Sequence, residues 1–274
     1  MRGNRLILVP LCLLLCWMLP VSSKKISYIS SQPKADFGLR MSMVENAVDD
    51  MYFGCIESMT ELVKDRYFKK EIKEQGFANV WNHAEQCAIR NLRDKDKGDE
   101  ALTKDHMQAI CVYTSDYEKF YKTYNHAVRT SRKIYATSFP FHSLHFWMTS
   151  AVQILSNNKG CRTTYRRTQV KLTGKVNKLI RFGFFASSSY RTDMNQFGNK
   201  TCFKIKTCLG AFLNKYSALG KHEEEVLIPP YEMFKIIGKK KGRYVEGLHD
   251  CKDVYTLESA GSHTNLNCNV AYFP

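Results

Sequence analysis

The apolar residues of this chain change their spacing near residue 160, and this change limits the folds that the chain can adopt. Before that point they recur at the spacing of one helix face, and the first such face runs from Val44 to Val63. After that point, short apolar runs bounded by Gly, Asn and Pro predict strands at 169–172, 179–186, 202–209, 226–228, 234–237 and 254–257. Helices first and strands afterwards predict an α+β fold rather than a parallel sheet built from βαβ units.

Three further helix faces follow the first, at 77–88, 120–128 and 144–155. Ser115 and Glu118 have the spacing of a capping box, which predicts that the third of these four helices begins there. We therefore predict one domain over residues 24–274, with a helical part at 24–160 and a strand-rich part at 161–274.

The first 23 residues have the pattern of a secretory signal peptide. Arg2 and Arg5 provide a positive start, residues 6–19 are mostly apolar, and small residues precede Lys24. The apolar run is shorter than the roughly 20 residues that span a bilayer, so cleavage is favoured over the alternative of an uncleaved membrane anchor. Residues 1–23 are accordingly excluded from the fold.

The expected mature chain is secreted, extracellular and strongly basic. Residues 269–274 lack the polar spacer and hydrophobic tail of a lipid-anchor signal, so we expect no membrane anchor, and we take a monomer as the default. Removal of residues 1–23 takes away two arginines and no acids, which lowers the formal net charge from +15 to +13. Such a charge favours anionic partners, including cell-surface glycans and nucleic acid. The densest basic cluster, 239–243, fits a solvated loop first and such a binding surface second.

The cysteines of the mature chain indicate disulfides, because their number is even and the chain is exported. Eight cysteines allow 105 pairings, so their spacing alone selects none. Zinc ligation is the alternative, but no Cys-x-x-Cys pair occurs and we expect no metal. Asn199, in Asn-Lys-Thr, is an N-glycosylation acceptor, which predicts a surface loop. The cysteines are Cys55, Cys87, Cys111, Cys161, Cys202, Cys208, Cys251 and Cys268.

Three polar features of the strand-rich part could perform chemistry. Arg166 can offer a bidentate fork to a phosphate, although most surface arginines are only solvated. Ser187 and Ser189 follow an apolar strand, either as a plain polar turn or to hold another side chain. Glu223 and Glu225 lead into an apolar strand, so alternation along the strand predicts that both face the same side. Two such carboxylates can act as charge stabiliser and base, the alternative being an acidic loop.

Other candidate sites are weaker. His142 and His145 have i, i+3 spacing that could suit a metal, but no acidic third ligand lies near them in sequence, so they are interpreted as helix-face residues. The glycine-rich phosphate loops and the Gly-x-Ser-x-Gly nucleophile turn do not occur. A nucleotide bound by this chain therefore needs a different device.

Taken together, these residues resemble the Arg–Ser–Glu signature of mono-ADP-ribosyltransferases, in their vertebrate extracellular branch. Arg166 is followed by Ser187 and then by Glu223 and Glu225, which lead into Val-Leu-Ile-Pro-Pro. The similarity extends from about residue 43 to Cys268. Four further segments match the family in kind and order, at 49–55, 109–114, 141–146 and 207–211.

The resemblance implies the ADP-ribosyltransferase fold, in which a helical region packs on a mainly antiparallel β-sandwich. It also implies transfer of ADP-ribose from NAD, with NADP as a second candidate, to accessible arginines of proteins. In this family's pattern Arg166 binds the NAD phosphates, Ser187 orients the catalytic acid, and Glu225 stabilises the oxocarbenium-like charge. Glu223 positions the acceptor guanidinium and takes up its proton, and Phe197 packs on nicotinamide.

The resemblance further implies that residues 214–222 form the acceptor-recognition loop. The sequence departs from the family pattern at two places. Arg167 stands where the family often has glycine, and a bulky cation there could change the position of the nucleotide. The serine motif is Ser-Ser-Ser in place of Ser-Thr-Ser. The family also suggests the disulfides Cys55–Cys268 and Cys161–Cys208, with Cys202–Cys251 and Cys87–Cys111 assigned to the four cysteines that remain.

Two alternative functions are kept. The first is an NAD glycohydrolase that uses the same residues with water as the main acceptor. The second is a non-enzymatic secreted protein that binds glycans or nucleic acid through its basic surface, against which the complete Arg–Ser–Glu-x-Glu set argues.

Overall fold

Helices occupy the first half of the described chain, as the apolar spacing predicts. The structure, a computed structural model, describes residues 38–157 and 159–272, so the predicted signal peptide lies outside the described residues. The helices are α1 (Ile56–Leu62), a π-helical segment (Val63–Tyr67), α2 (Phe68–Glu71), α3 (Gln75–His83), α4 (Glu85–Arg93), α5 (Lys104–Thr114), α6 (Phe120–Thr130), α7 (Tyr135–Ser138) and α8 (His142–Ser156).

The first helix begins later than the apolar spacing predicts. The chain before Ile56 is not helical, and Val44 and Tyr52 have φ angles of 50° and 56°. The carboxylate of Asp50 accepts a hydrogen bond from the backbone N–H of Tyr52 at 2.8 Å, which holds one of these turns. The predicted helix over 44–55 is therefore wrong, although Val48 in this segment is fully buried.

Helix α5 lies at the centre of the helical part, with every residue from His106 to Thr114 buried. A capping box formed by Thr103 and His106 begins this helix. The capping box predicted at Ser115 and Glu118 is wrong, because Ser115 instead accepts from the backbone N–H of Tyr117 and α6 begins only at Phe120.

The second half of the chain forms one eight-stranded sheet in the order β4-β9-β10-β6-β2-β5-β8-β7. Strands β6 and β10 pair in parallel, and the other pairs of this sheet are antiparallel. A separate parallel pair joins β1 and β3. The strands are β1 (Leu39–Arg40), β2 (Arg162–Thr168), β3 (Leu172–Thr173), β4 (Leu179–Arg181), β5 (Ala186–Ser189), β6 (Thr201–Thr207), β7 (Ala211–Phe212), β8 (Glu225–Ile228), β9 (Glu232–Lys240) and β10 (Asp253–Ser262), and a short helix α9 (Asn269–Tyr272) follows.

The sheet consists of two halves that join at one narrow seam. Strands β2 and β5 share a single register pair, Tyr165 with Ser189. Side chains from both halves meet in one buried apolar cluster, while Phe185 just before β5 and residues of β7 and β8 contribute to the larger core that contains the helices. This arrangement confirms the predicted α+β fold with a mainly antiparallel sandwich. The cluster between the halves contains Ile180, Phe182, Ala186, Phe203, Ile205, Ile228, Phe234, Ile236, Tyr255 and Leu257.

A buried ion pair connects the beginning of the described chain to the sheet. Arg181 donates to the carboxylate of Asp49 at 2.6 Å, and neither side chain is exposed. Arg181 also donates to the carbonyls of Met43 and His263, at 2.7 and 2.8 Å. The carboxylate of Asp49 in turn accepts from the backbone N–H of Asn265 at 2.9 Å. One charge pair thus joins β4 to segments from both ends of the described chain.

Four disulfides add covalent connections to these contacts. Their pairings are the ones implied by the resemblance together with the two assigned to the remaining cysteines. The longest loop is closed between residues 213 positions apart, where loop-entropy arguments give the larger stabilisation. The disulfides are Cys55–Cys268, Cys87–Cys111, Cys161–Cys208 and Cys202–Cys251.

Replacement of Asp49 by Asn is expected to lower the free energy of unfolding by about 3–5 kcal/mol, because it leaves the buried guanidinium of Arg181 without a counter-charge. Denaturant unfolding followed by fluorescence measures this loss. The matched control is Asp65→Asn, which breaks an exposed pair with Lys69 and should cost less than about 1 kcal/mol. Equal losses in the two variants would contradict the role assigned to the buried pair.

Candidate active site

Two adjoining cavities lie between the helical part and the sheet. Their volumes are about 480 and 470 Å³, and residues of α6, β2, β5 and the segment before β8 line them. The five residues that the sequence singles out for catalysis or NAD binding line both cavities. They are Arg166, Ser187, Phe197, Glu223 and Glu225.

Arg166 lies inside strand β2, which the apolar pattern placed later, at 169–172. Its guanidinium donates to the backbone carbonyl of Ser187, and this contact joins β2 to β5 across the seam. The guanidinium carbon also lies 6.0 and 5.7 Å from the ring centroids of Phe182 and Phe184. These contacts hold the cation at the cavity wall.

Ser187 and Glu225 lie on neighbouring strands, and the side chain of Ser187 hydrogen-bonds to the carboxylate of Glu225. The hydroxyl of Ser217 donates to the same carboxylate at 3.3 Å. Burial raises the pKa of Glu225 to about 7; the Ser187 hydrogen bond opposes this shift, and the nearby charge of Glu223 adds to it. The structure thus contains a buried carboxylate that changes its charge near neutral pH.

Glu223 lines the same cavities, but its backbone is not the strand that the sequence predicted. It ends a 3₁₀ turn, Gly220–Glu223, and Glu224 then adopts the left-handed conformation with a φ of 43° before β8 begins. Strand alternation therefore does not explain why Glu223 and Glu225 share one side, and that part of the prediction is wrong. Glu223 is only partly buried, and the loss of solvent raises its pKa.

Phe197 presents an open aromatic ring to the cavities, with 49 % of its surface exposed. It ends a 3₁₀ turn, and Gly198 follows with a φ of 118°. A Cβ atom at Gly198 would lie 2.5 Å from the backbone nitrogen of Gln169, so only glycine fits here. This close approach fixes the turn that presents Phe197.

Arg167 also lines the cavity of about 480 Å³, but its guanidinium is held by other partners. Its guanidinium donates to both carboxylate oxygens of Asp250, at 2.8 and 3.0 Å, and to the carbonyl of Thr192 at 2.8 Å. The residue is 5 % exposed. The Arg167 cation is therefore committed to an ion pair with Asp250.

Sequence reasoning assigned no catalytic role to Tyr113, which approaches both Ser187 and Glu225. Its hydroxyl donates to the carbonyl of Phe185 and accepts from the amide of Asn125 at 3.0 Å. Burial raises the pKa of Tyr113 to about 12, so the phenol stays neutral. The family-like segment 109–114 contains this residue, but the segment alone does not indicate which of its side chains meets the cleft.

A second residue without a sequence signal is Lys122 on α6. It lines the cavity that also contains Arg166, Thr168 and Gln169. No carboxylate pairs with Lys122 among the residues that the structure describes, and its ammonium nitrogen lies 5.9 Å from the centroid of the Tyr121 ring. One lysine among 41 basic residues cannot be selected from sequence alone.

His142 and His145 are buried in the helical part and are not in the cleft. His145 hydrogen-bonds to the hydroxyl of Tyr52 at 2.8 Å, and burial lowers the pKa of His145 to about 4. Over residues 38–157 and 159–272, no group of three or more His, Cys, Asp or Glu side chains could hold a metal ion. Within the same residues, no helix is long and apolar enough to cross a bilayer.

Comparisons with known proteins agree on one family. Residues 41–253 match the family model described as NAD:arginine ADP-ribosyltransferase. Ecto-ADP-ribosyltransferase 5 of Mus musculus is 32% identical over 238 residues, which cover 83% of this chain and 75% of that protein. T-cell ecto-ADP-ribosyltransferase 1 of Mus musculus is 36% identical over 221 residues, which cover 75% and 71%.

Solved structures give the same result for the fold. The eukaryotic mono-ADP-ribosyltransferase ART2.2 superimposes with a TM-score of 0.70 and 26% sequence identity, covering 84% of this chain and 98% of that one. Mutants of ART2.2 have also been solved in complex with NADH and with NAD.

Replacement of Glu225 by Gln is expected to stabilise the protein at alkaline pH. A folded-state pKa of about 7 against an ordinary 4.5 means that ionisation of Glu225 opposes folding as the pH rises. The gain should be absent near pH 4, grow between about pH 4.5 and 7, and stay constant above, at roughly 1–3 kcal/mol. Unfolding measured from pH 4 to 9 checks this, with Glu224→Gln as an exposed control. A gain in the free energy of unfolding that does not change with pH would show that ionisation of Glu225 is not its cause.

Proposed function

Because this chain belongs to the NAD:arginine ADP-ribosyltransferase family, we propose that its cleft carries out the reaction through Arg166, Ser187, Glu223 and Glu225. The enzyme transfers ADP-ribose from NAD to arginine side chains of proteins and releases nicotinamide. The observation that carries the assignment is that these four side chains, from β2, β5 and the chain entering β8, line the same two cavities.

Arg166 and Lys122 are proposed to hold the pyrophosphate of NAD. Both line the cavity of about 480 Å³, and two cations match the two negative charges of the pyrophosphate. The carboxylates of Glu223 and Glu225 line this cavity as well, so basic and acidic groups face one substrate that itself carries phosphates and a cationic nicotinamide ring. This distribution of charge favours one orientation of NAD.

Glu225 is proposed to stabilise the cleavage of the glycosidic bond. As the bond between the ribose C1′ and the nicotinamide nitrogen breaks, its electron pair leaves with nicotinamide and positive charge develops on the ribose. An ionised carboxylate beside that charge lowers the barrier, and the hydrogen bonds from Ser187 and Ser217 hold the carboxylate in place. The cationic ring of NAD also favours ionisation of Glu225 once the substrate is bound.

Glu223 is proposed to accept the proton of the incoming arginine. A protonated guanidinium is a poor nucleophile, so attack on C1′ requires a carboxylate that orients the group and removes one proton. The partial exposure of Glu223 suits a residue that meets a protein substrate, whereas the burial of Glu225 suits one that meets NAD. Phe197 offers its open face for packing on the nicotinamide ring.

The acceptor-recognition loop, 214–222, is proposed to be held in a fixed position. Tyr216 is 1 % exposed and donates to Asp99 at 2.9 Å, while its hydroxyl accepts from the backbone N–H of Asp96 at 2.8 Å. The next residue, Ser217, donates to the catalytic carboxylate. Acceptor specificity then depends on the side chains of a rigid loop whose position is coupled to that of Glu225.

Several finer properties follow as proposals. NADP is a second co-substrate, because its extra phosphate adds negative charge that Lys122 can attract.

Ecto-enzyme relatives and four disulfides support an extracellular enzyme, and we propose that it is secreted as a monomer. Asn199 is exposed and is the proposed glycosylation site. Anionic cell-surface glycans are proposed as partners of the basic surface.

Replacement of Glu223 by Gln is expected to abolish arginine labelling while NAD cleavage continues, because only the acceptor loses its base. Glu225→Gln is expected to reduce both reactions by about two orders of magnitude or more. Incubation of the oxidised protein with labelled NAD and agmatine or polyarginine measures both products.

The control for this experiment is Glu224→Gln, an exposed neighbour with the same change of charge. Nicotinamide release without acceptor labelling in the unmodified protein would indicate an NAD glycohydrolase. Loss of both activities in the Glu223 variant would refute the division of roles between the two carboxylates.

Replacement of Lys122 by Gln is expected to raise the KM for NAD about tenfold with little change in kcat, because a phosphate contact is made equally in the ground state and the transition state. The rise should be larger for NADP than for NAD. Steady-state kinetics with both co-substrates measures the two ratios, and Lys133→Gln, an exposed lysine outside the cleft, is the control. An unchanged KM in the Lys122 variant would show that Lys122 does not bind the co-substrate.

A further inference from the structure

A third cavity lies on the segment between β9 and β10, and every charged side chain that lines it is basic. Its volume is about 300 Å³. It shares no lining residue with the two cavities of the cleft. We call it the basic pocket, and it is lined by Lys241, Gly242, Arg243, His249, Cys251 and Lys252.

The walls of the basic pocket are rigid. The Cys202–Cys251 disulfide joins the pocket to β6, and Leu248 and Val254 pack around it as a buried cluster. The backbone N–H of Gly242 donates to the carbonyl of Cys251 at 3.0 Å. A Cβ atom at Gly242 would lie 2.1 Å from that carbonyl oxygen, so this close approach requires glycine. A ligand therefore meets preorganised backbone rather than a loop that must order itself.

The acidic residues of this segment neutralise only part of the positive charge of the pocket. Asp250 binds the buried guanidinium of Arg167, and Asp253 pairs with Lys241 at 2.8 Å. The third acid, Glu246, is exposed and does not line the pocket.

Arg243 and Lys252 have no carboxylate partner among the described residues. The guanidinium of Arg243 lies 4.8 Å from the ring centroid of Tyr244, which stiffens its side chain. Two positive charges on a rigid surface thus remain available for an anion.

The positive surface continues beyond the pocket along the sheet. Lys240 ends β9 and is exposed, and the register pairs it with Val254 of β10. On β6, the next exposed lysine is Lys204, two residues from Cys202 of the disulfide. Lys240 on β9 and Lys204 on β6 are separated by β10, which places them about 10 Å apart in the pairing direction, and basic side chains spread in this way suit an extended polyanion rather than a single ion.

We propose that the basic pocket and the adjoining strand ends bind a sulfated polysaccharide, and that this contact retains the secreted enzyme at cell surfaces. Sulfate groups fit the fork of Arg243 and the point charge of Lys252. No Phe, Tyr or Trp side chain lines the pocket, so it lacks the large aromatic rings on which single-stranded nucleic acid binding mainly depends. The cleft and the basic pocket share no lining residue, so the two sites can be changed separately by substitution.

The test compares the unmodified protein with an Arg243→Ala/Lys252→Ala variant on immobilised heparin, eluted with a NaCl gradient. The matched control is Lys73→Ala/Lys133→Ala, which removes the same charge from exposed positions of the helical part. The pocket variant should elute at clearly lower NaCl and bind about tenfold more weakly near physiological salt, while the control shifts less than about twofold. NAD cleavage should be unchanged in both variants, which shows that they are folded.

Two further measurements distinguish a sulfated glycan from other polyanions. Desulfated heparin should fail to retain the unmodified protein, and single-stranded DNA of matched charge should retain it less than heparin does. Equal weakening of the pocket variant and the control would show that net charge alone governs binding, and would overturn the proposal. Equal retention on DNA and heparin, or retention on desulfated heparin, would overturn the assignment to a sulfated glycan. NAD cleavage that persists without heparin retention would refute the basic pocket and leave the catalytic assignment intact.

Discussion

The buried ion pair of Asp49 and Arg181 is the interaction on which the rest of the structure depends. Two charges without solvent exposure are stable only when each has several partners, and here those partners come from segments at opposite ends of the described chain. The neighbouring Asp50 extends the connection, because its carboxylate accepts from the backbone N–H of Cys268 at 2.9 Å and from the hydroxyl of Tyr135 at 2.8 Å. Burial raises the pKa of Asp50 to about 6, so these hydrogen bonds only partly offset the cost of its charge. The two adjacent acids, Asp49 and Asp50, thus join segments from both ends of the described chain.

This closure also determines the shape of the cleft. Strand β4, which carries the arginine of the ion pair, continues through Phe182 into β5. From the helical part, Arg129 donates to the carbonyl of Phe182, and Tyr113 donates to that of Phe185. The aromatic rings of the same segment lie under the guanidinium of Arg166. The position of the Arg166 guanidinium is therefore set by contacts from helices and sheet together, which explains why the cleft lies where the two parts meet.

Sequence patterns predicted the order of helices and strands, because an apolar face leaves its period in the chain. They did not predict β2, whose residues at 162–168 are mainly polar and carry no alternation of apolar side chains. The pairing of Glu223 with Glu225 shows the same limit. Both were selected from sequence, but their common side results from the left-handed backbone at Glu224, for which an apolar pattern gives no signal. The resemblance to a family supplied the residues, while the geometry that joins them depends on turns and tertiary contacts.

Strand β2 also relates the cleft to the basic surface. Successive side chains of a strand point to opposite faces, so the side chains of Arg166 and Arg167 leave β2 in different directions. Arg166 faces the cleft, and Arg167 holds Asp250 in the segment that forms the basic pocket. Arg167 thus removes the nearest acid from a positively charged surface. Neighbouring arginines of one strand thus contribute to two different surfaces, the cleft and the basic pocket that we propose as a glycan site.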